Sequence, residues 1–578
     1  MAEHDLVVRG GTLVDGTGAP PRSADVAVRD GVVVEVGRVS GRGHRELDAD
    51  GALVTPGFVD VHTHYDGQAT WDSRLQPSSW HGVTTVVMGN CGVGFAPAVP
   101  RDHDRLIALM EGVEDIPGVA LTEGLAWDWQ SFPEYLDALE RRPHDLDFAA
   151  QVPHAALRVR AMGERAAAHA QASEEEIALM AKLAAEAIEA GALGFTTSRT
   201  LNHKTRAGEL TPSYAAGRDE LVAISRAIGA TGQGVLQLVT DWDDDTIETD
   251  FDLIASMAAA AGRPMSFSLA QSPAYPDRFR KSLAFLVRAN ADGLRLRAQV
   301  AARGIGILMG LDCTLNPFAA NPAWLRISHL PVAEQARAMQ DPALRREILD
   351  LGIVDAANVI GGALLDRFEI MFELTDPPDY EPDPASTIAN RAAARGITPL
   401  ELAYEILLSD EGRGMFYLPF TNYVDGSLDG CAEMLGHEFT IPGLSDGGAH
   451  VGTICDGSFP TTLLQHWVRD RGTFPVEMMV ARQARATAEA VGLLDRGLLT
   501  PGHKADLLVV DLDGMHLHKP EMHHDLPAGG RRLLQRADGY RHTFVSGVET
   551  YVDGEATGEL PGRLVRGPQA GPAGGTVA

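Results

Sequence analysis

Two histidines one residue apart, in Thr55-Pro-Gly-Phe-Val-Asp-Val-His62-Thr-His64, are the side chains best spaced for chemistry. On a strand both leave from the same face. At the C-terminal end of a barrel strand that face is the interior, where two neutral imidazoles make half of a zinc site. The apolar run and Pro-Gly turn before them favour that reading over a surface pair. Further candidates follow other apolar runs: His154 closes one, and Arg199, His203 and Lys204 follow another. Arg199 could grip a substrate carboxylate with its forked donors or close a salt bridge on a rim. His203 could be a ligand or a substrate contact. The His-rich segment 516–525 (HLHKPEMHHD) reads as a surface loop outside the catalytic domain, and the acidic run 241–245 as a solvated loop.

These residues need elements to hold them. Short apolar runs at 58–64, 84–90, 147–154, 192–198, 234–240, 264–271, 294–300 and 439–446 alternate with helical patterns. The clearest helix starts at Ser173 with Glu176 three residues on, a capping-box spacing, and Gly191 is placed to stop it. Eight strands separated by helices predict an α/β fold of the (β/α)8 TIM-barrel type, whose polar site residues project from the C-terminal strand ends. Both chain ends instead show alternating apolar residues with Asp-Gly and Gly turns, so 1–55 and 500–566 are expected to form one small composite β-sandwich domain. The barrel would span 56–499. Residues 301–438 are too long for one crossover and are expected to be an insertion between strands seven and eight, large enough for a lid. A separate helical subdomain is the alternative. The Gly/Pro-rich 567–578 segment is expected to be a flexible tail.

Composition narrows the function classes. In 578 residues, 79 acids outweigh 49 Lys plus Arg, a net charge of −30. Such a balance argues against nucleic acid as a partner, because phosphate binding needs excess basic charge. No long apolar run suggests a membrane span, and no signal peptide is evident at the N-terminus. Four scattered cysteines are too few for a disulfide framework. The expectation is a soluble cytoplasmic protein, a candidate homo-oligomer, acting on a small-molecule substrate.

The stretches PGFVDVHTHYDGQ and GVTTVVMGNCGVGFAP, with the late GLSDGGAH and PGHKADLLVVD, resemble the amidohydrolase superfamily, most closely its D-aminoacylase or N-acyl-D-amino-acid deacylase branch. The resemblance covers nearly the whole chain. It implies that His62 and His64 hold a divalent metal. It matches Cys91 to the cysteine that supplies a thiolate to zinc in that branch, whereas the residues alone would also suit a buried apolar cysteine. It matches Asp446 to the strand-eight aspartate, the general base that takes a proton from the activated water and passes it to the leaving nitrogen. The implied activity is metal-dependent hydrolysis of a non-peptide amide.

The chain also departs from that pattern. The branch carries one histidine at the end of strand five and another at the end of strand six. Here those places read Val-Leu-Gln237-Leu-Val and Ser-Leu-Ala-Gln271-Ser. Glutamine is a poor zinc ligand but a competent hydrogen-bond partner. The expected cofactor is therefore Zn2+, one per chain, unless other residues complete a second site. Lys204 lies six residues past the strand at 192–198, far for the carboxylated lysine of some relatives. Gln237 is a candidate substrate contact, and so is His450, which follows Asp446 by one turn if a helix starts there. An alternative class is a barrel repurposed for a cyclic amide or another C–N substrate, or a binding protein without hydrolysis.

Overall fold

The computed structural model describes residues 2–241, 247–354 and 362–572. Residues 242–245 of the acidic run and 573–578 of the tail lie outside the described residues.

Eight parallel strands form among the described residues where the apolar runs lie: β1 (Phe58–Asp60), β2 (Val83–Met88), β3 (Asp147–Pro153), β4 (Gly194–Ser198), β5 (Val235–Val239), β6 (Met265–Leu269), β7 (Leu296–Val300) and β8 (Thr440–Pro442). Each pairs with its neighbour in sequence order from β1 to β8. Strands β2 and β3 are buried along their whole length, as expected of strands covered on both faces. The ring closes just beyond the ends of β1 and β8, where Asp446 N donates to His62 O (3.1 Å) and His64 N to Gly447 O (2.8 Å).

The helix between β3 and β4 behaves as its sequence predicts. It runs Glu174–Glu189, with Ser173 and Glu176 forming the capping box and Met180, Ala184, Ala187 and Ile188 buried. Gly191 follows with φ +112°. Residues 301–438 do lie between β7 and β8. They contain a three-stranded antiparallel sheet (Gly306–Gly310, Phe372–Glu373, Met415–Pro419) and a hydrophobic cluster of their own that includes Phe318, Met339, Tyr404 and Phe416. This insertion touches the loop after β8 through Leu308 N to Thr453 O (2.7 Å) and Thr314 N to Gly452 O (2.9 Å).

The two chain ends meet in one nine-stranded sheet among the described residues. Its seam pairs Leu53–Pro56 antiparallel with Leu507–Val510. Alternation along the strands puts Leu6, Val8, Val26, Val54, Leu507, Val509 and Phe544 into one core. Two expectations are corrected at its C-terminal edge. The sheet ends at Ala556, and Val565 N donates instead to Phe148 O of β3 (2.7 Å). Residues 567–572 are not a loose tail: Gln569 exchanges backbone hydrogen bonds with Gly492 and Leu494 (both 2.9 Å), and its side chain donates to Arg566 O and Gly567 O. Those bonds satisfy a segment whose composition alone suggested disorder.

Asp145, just before β3, ties the composite domain to the barrel. It accepts from Tyr551 Oη (2.6 Å) and Leu75 N (3.2 Å), and burial pushes its carboxyl up to about 6. A folded pKa above the unfolded one contributes stability that is complete below the unfolded value near 3.8 and is lost as pH rises through about 6. Denaturant unfolding should therefore show wild type losing stability relative to Asp145→Asn between pH 4 and 7, by up to about 3 kcal/mol. A pH-independent difference between the two proteins would contradict this account.

Candidate metal centre

The ring closure carries the site. His62 and His64 follow β1 and turn inward, each only 1% exposed. Asp446 follows β8 in a loop, with φ +50°. No helix begins at Asp446; the next one starts at Phe459, so His450 reaches the carboxylate through a left-handed loop (φ +49°) and not along a helical turn. Asp446 Oδ1 lies 3.3 Å from His62 Nε2 and 3.5 Å from His64 Nε2. Gly448 (φ +87°) permits the turn, because a Cβ there would meet the Tyr65 ring at 2.8 Å. Asp60 and Ser445 pin the same seam: the Ser445 hydroxyl contacts Asp60 Oδ2 (2.5 Å) and His62 O (3.1 Å).

Cys91 enters from the turn after β2. Its Sγ is 3.3 Å from His62 Nε2. The turn is tightly held: Gly89 N donates to Asp66 Oδ2 (3.0 Å), Gly92 N to Thr196 Oγ1 (3.1 Å), and Asn90 Nδ2 to Thr63 O and Val87 O. Gly89 has φ +85°, and a Cβ would meet Gln151 O at 2.3 Å. Cys91 itself has φ +55°, a left-handed conformation that costs a cysteine on the order of 1 kcal/mol or more. Strain of this kind is common where geometry serves a site.

Polar neighbours on the far side of each ring bear on the nitrogen it presents, through a hydrogen bond for His62 and a close carboxylate for His64. The nearest acceptor for His62 Nδ1 is Gln299 Oε1 of β7 at 2.6 Å; the amide nitrogen of Gln237 on β5, a donor, lies 3.1 Å from the same atom. With a proton on Nδ1, the Nε2 lone pair faces Cys91 and Asp446. His64 Nδ1 lies 3.2 Å from Glu114 Oε1, the last residue of α1 (His103–Glu114). The sequence reading named neither Gln299 nor Glu114. Gln299 was legible only as an inward polar position in Leu-Arg-Ala-Gln-Val, and Glu114 carried no motif.

Electrostatically the site is a buried concentration of acids. Burial, then Glu114, Asp446 and Asp66, push the Cys91 thiol up; burial, then Asp446 and Asp66, push Glu114 up. Burial also raises Asp60 and Asp66, each to about 7. Asp446 is the exception: burial opposes its ionisation, yet His64, His62 and His450 outweigh it and hold the carboxyl below the usual range. Burial lowers both His62 and His64, favouring neutral rings. Two imidazoles and a sulfur with donor atoms all within 4.8 Å of one another suit a borderline-soft divalent ion such as zinc. Both nitrogens of His64 and Oδ1 of Asp446 lack hydrogen-bond partners although buried, as groups awaiting a cation would.

Other sequence candidates divide. His203 bonds Ser198 Oγ (2.8 Å); burial, then His450 and His64, lower it to about 3. Arg199 donates to Ala216 O. Gln271 turns its amide to Pro276 O (3.2 Å), away from His62. His154 is engaged by Thr197 and Glu220 (both 2.8 Å) beside Arg158, so it serves packing. Lys204 is exposed. The 516–525 segment is not a loop: Glu521–Leu526 pairs with Gly530–Leu534, and Leu533 N donates to Val451 O (2.6 Å) beside the site. Of the remaining cysteines, Cys313, Cys431 and Cys455 are buried and unpaired.

A family model described as "Amidohydrolase family" matches residues 45–556. The D-aminoacylase of Alcaligenes xylosoxydans xylosoxydans is 27% identical, over 97% of each chain. The N-acyl-D-glutamate deacylase of the same organism is 28% identical, over 97% of this chain and 96% of its own. A solved N-acyl-D-glutamate deacylase from Bordetella bronchiseptica, complexed with zinc and a phosphonate inhibitor, superposes with TM-score 0.65 at 24% identity, covering 97% of this chain and 99% of that one.

If Cys91 donates to a metal, Cys91→Ser should lower zinc affinity by at least the 10–100-fold typical of losing a supporting partner. Metal analysis after dialysis, with melting temperature as the folding control, reads this. Full zinc occupancy in a folded Cys91→Ser protein would remove the thiolate from the site.

Proposed function

The chain belongs to the amidohydrolase family, and from that premise we propose that it is a zinc-dependent deacylase of N-acyl-D-amino acids using one ion per chain. The observation that supports it most is the position of Asp446 Oδ1, 3.3 Å and 3.5 Å from the Nε2 atoms of His62 and His64. A single ion follows from β5 and β6, which offer Gln237 and Gln271 where the branch has histidines. The substrate class follows the named relatives, a D-aminoacylase and an N-acyl-D-glutamate deacylase.

In this reading His62, His64 and Cys91 hold the ion. A bound divalent ion supplies Lewis-acid polarisation of the amide carbonyl and acidifies the attacking water. The chain's own residues do the rest. Asp446 accepts the proton of the water as oxygen attacks the carbonyl carbon. It then gives that proton to the amide nitrogen as the C–N bond breaks, so the amine leaves neutral. Gln299 accepts from His62 Nδ1 and so holds the ring with Nε2 toward the reacting groups. Arg199, His203 and His450 are assigned to substrate contact, and the 301–438 insertion to covering the barrel mouth.

Asp446→Asn should cut turnover by about 10²–10⁴-fold while zinc content and melting temperature stay at wild-type values. Retained turnover would refute the proton-transfer role. A screen of N-acetyl-D-amino acids, their L enantiomers, cyclic amides and N-carbamoyl compounds tests the substrate class. Turnover confined to cyclic amides would overturn the deacylase assignment.

A further inference from the structure

Glu114 is wholly buried, and the basic groups within 4 Å of its carboxylate among the described residues are two imidazoles. Oε1 lies 3.2 Å from His64 Nδ1 and Oε2 lies 3.6 Å from His450 Nε2. Asp446 lies on the far side of the His64 ring, with Oδ1 3.5 Å from Nε2, and its Oδ2 is 3.9 Å from the same His450 Nε2 that faces Glu114. Carboxylate and imidazole therefore alternate around a closed ring: Glu114, His64, Asp446, His450. The backbone fastens it as well, since Val451 N donates to Glu114 O (3.3 Å).

We propose that Glu114 is the positioning residue of this site, a carboxylate that fixes His64 as a metal ligand and His450 as the partner of Asp446. An isolated carboxylate is expensive to bury, and among the described residues no Lys or Arg lies within 4 Å of this one. What can offset it is a proton on His64 Nδ1 together with a cation held at the far nitrogen, Nε2. That arrangement selects the tautomer in which Nε2 is free, the orienting role that carboxylates play behind metal-bound histidines. His62 is oriented by a neutral amide, Gln299, so the two ligand rings differ in the charge behind them. The His450 Nε2 atom lies between Oε2 of Glu114 (3.6 Å) and Oδ2 of Asp446 (3.9 Å), while Oδ1 of Asp446 is turned to the histidine pair.

This inference rests on the assignment of His62, His64 and Cys91 as ligands, and the test separates the two. Zinc affinity is measured by chelator competition for wild type, Glu114→Gln and Glu114→Asp, with the electronic absorption of the Co2+-loaded proteins as a readout of ligand geometry. Circular dichroism and the metal-free melting temperature report folding. Glu114→Gln should fold like wild type, bind zinc 10–100-fold more weakly and shift the cobalt bands, and Glu114→Asp should recover part of the affinity. A folded Glu114→Gln protein with zinc affinity within about twofold of wild type and unchanged cobalt bands would overturn the proposal, since losses of supporting partners run 10–100-fold. Failure of both variants to fold would also overturn it, by making Glu114 a purely structural residue. If wild type itself binds neither metal, the ligand assignment falls first and this inference falls with it.

Discussion

The seam between β1 and β8 is the constraint on which the rest of the structure depends. A parallel barrel must join its first and last strands, and here the join uses two backbone hydrogen bonds, from Asp446 N to His62 O and from His64 N to Gly447 O. Each contributes on the order of 1 kcal/mol. Their larger consequence is geometric. The residues that close the ring are those of the candidate site, so the main chain of Asp446 is fixed beside the histidine pair by the closure itself. Ser445 and Asp60 reinforce the same join with side chains, and Tyr65 packs over its glycines.

A second consequence is electrostatic. Closing the ring gathers Asp60, Asp66, Glu114 and Asp446 in a space where the basic groups in contact are imidazoles. Burial penalises each charge, and the left-handed Cys91 adds backbone strain. The fold tolerates this because β2 and β3 are buried along their length and the turn at 89–92 is bonded on both sides. Stability elsewhere supports a locally unfavourable cluster, which a divalent ion would relieve.

Most of the architecture was legible in the sequence because it depends on local patterns. The eight apolar runs, the Ser173–Glu176 capping box and the two alternating chain ends each state their element within a few residues. His62, His64, Cys91 and Asp446 were legible through motifs tied to strand ends. Gln299 and Glu114 were not, because their roles are set by which ring nitrogen they face across the barrel, at separations of 237 residues for His62–Gln299 and 50 residues for His64–Glu114. The tail misled for the same reason. Gly and Pro at 567–572 suggested disorder, while Gly492 and Leu494, remote in sequence, supply the partners that order it.

The loss of histidines from β5 and β6 acquires a physical sense at this point. Gln237 does not stand empty where a ligand is missing; it turns its amide to His62 Nδ1, the atom that Gln299 also contacts. A metal ligand on β5 would compete for the space of that amide and leave the His62 ring held by Gln299 alone. Two amides behind one imidazole help to fix the ring of His62 beside His64 and Cys91. The −30 net charge excludes none of this, but it does set a condition on the substrate. An anionic amino-acid derivative approaching an acidic protein needs local positive charge at the mouth. Of the residues proposed for contact, only Arg199 carries a permanent one, and its guanidinium still has donors beyond the one given to Ala216 O.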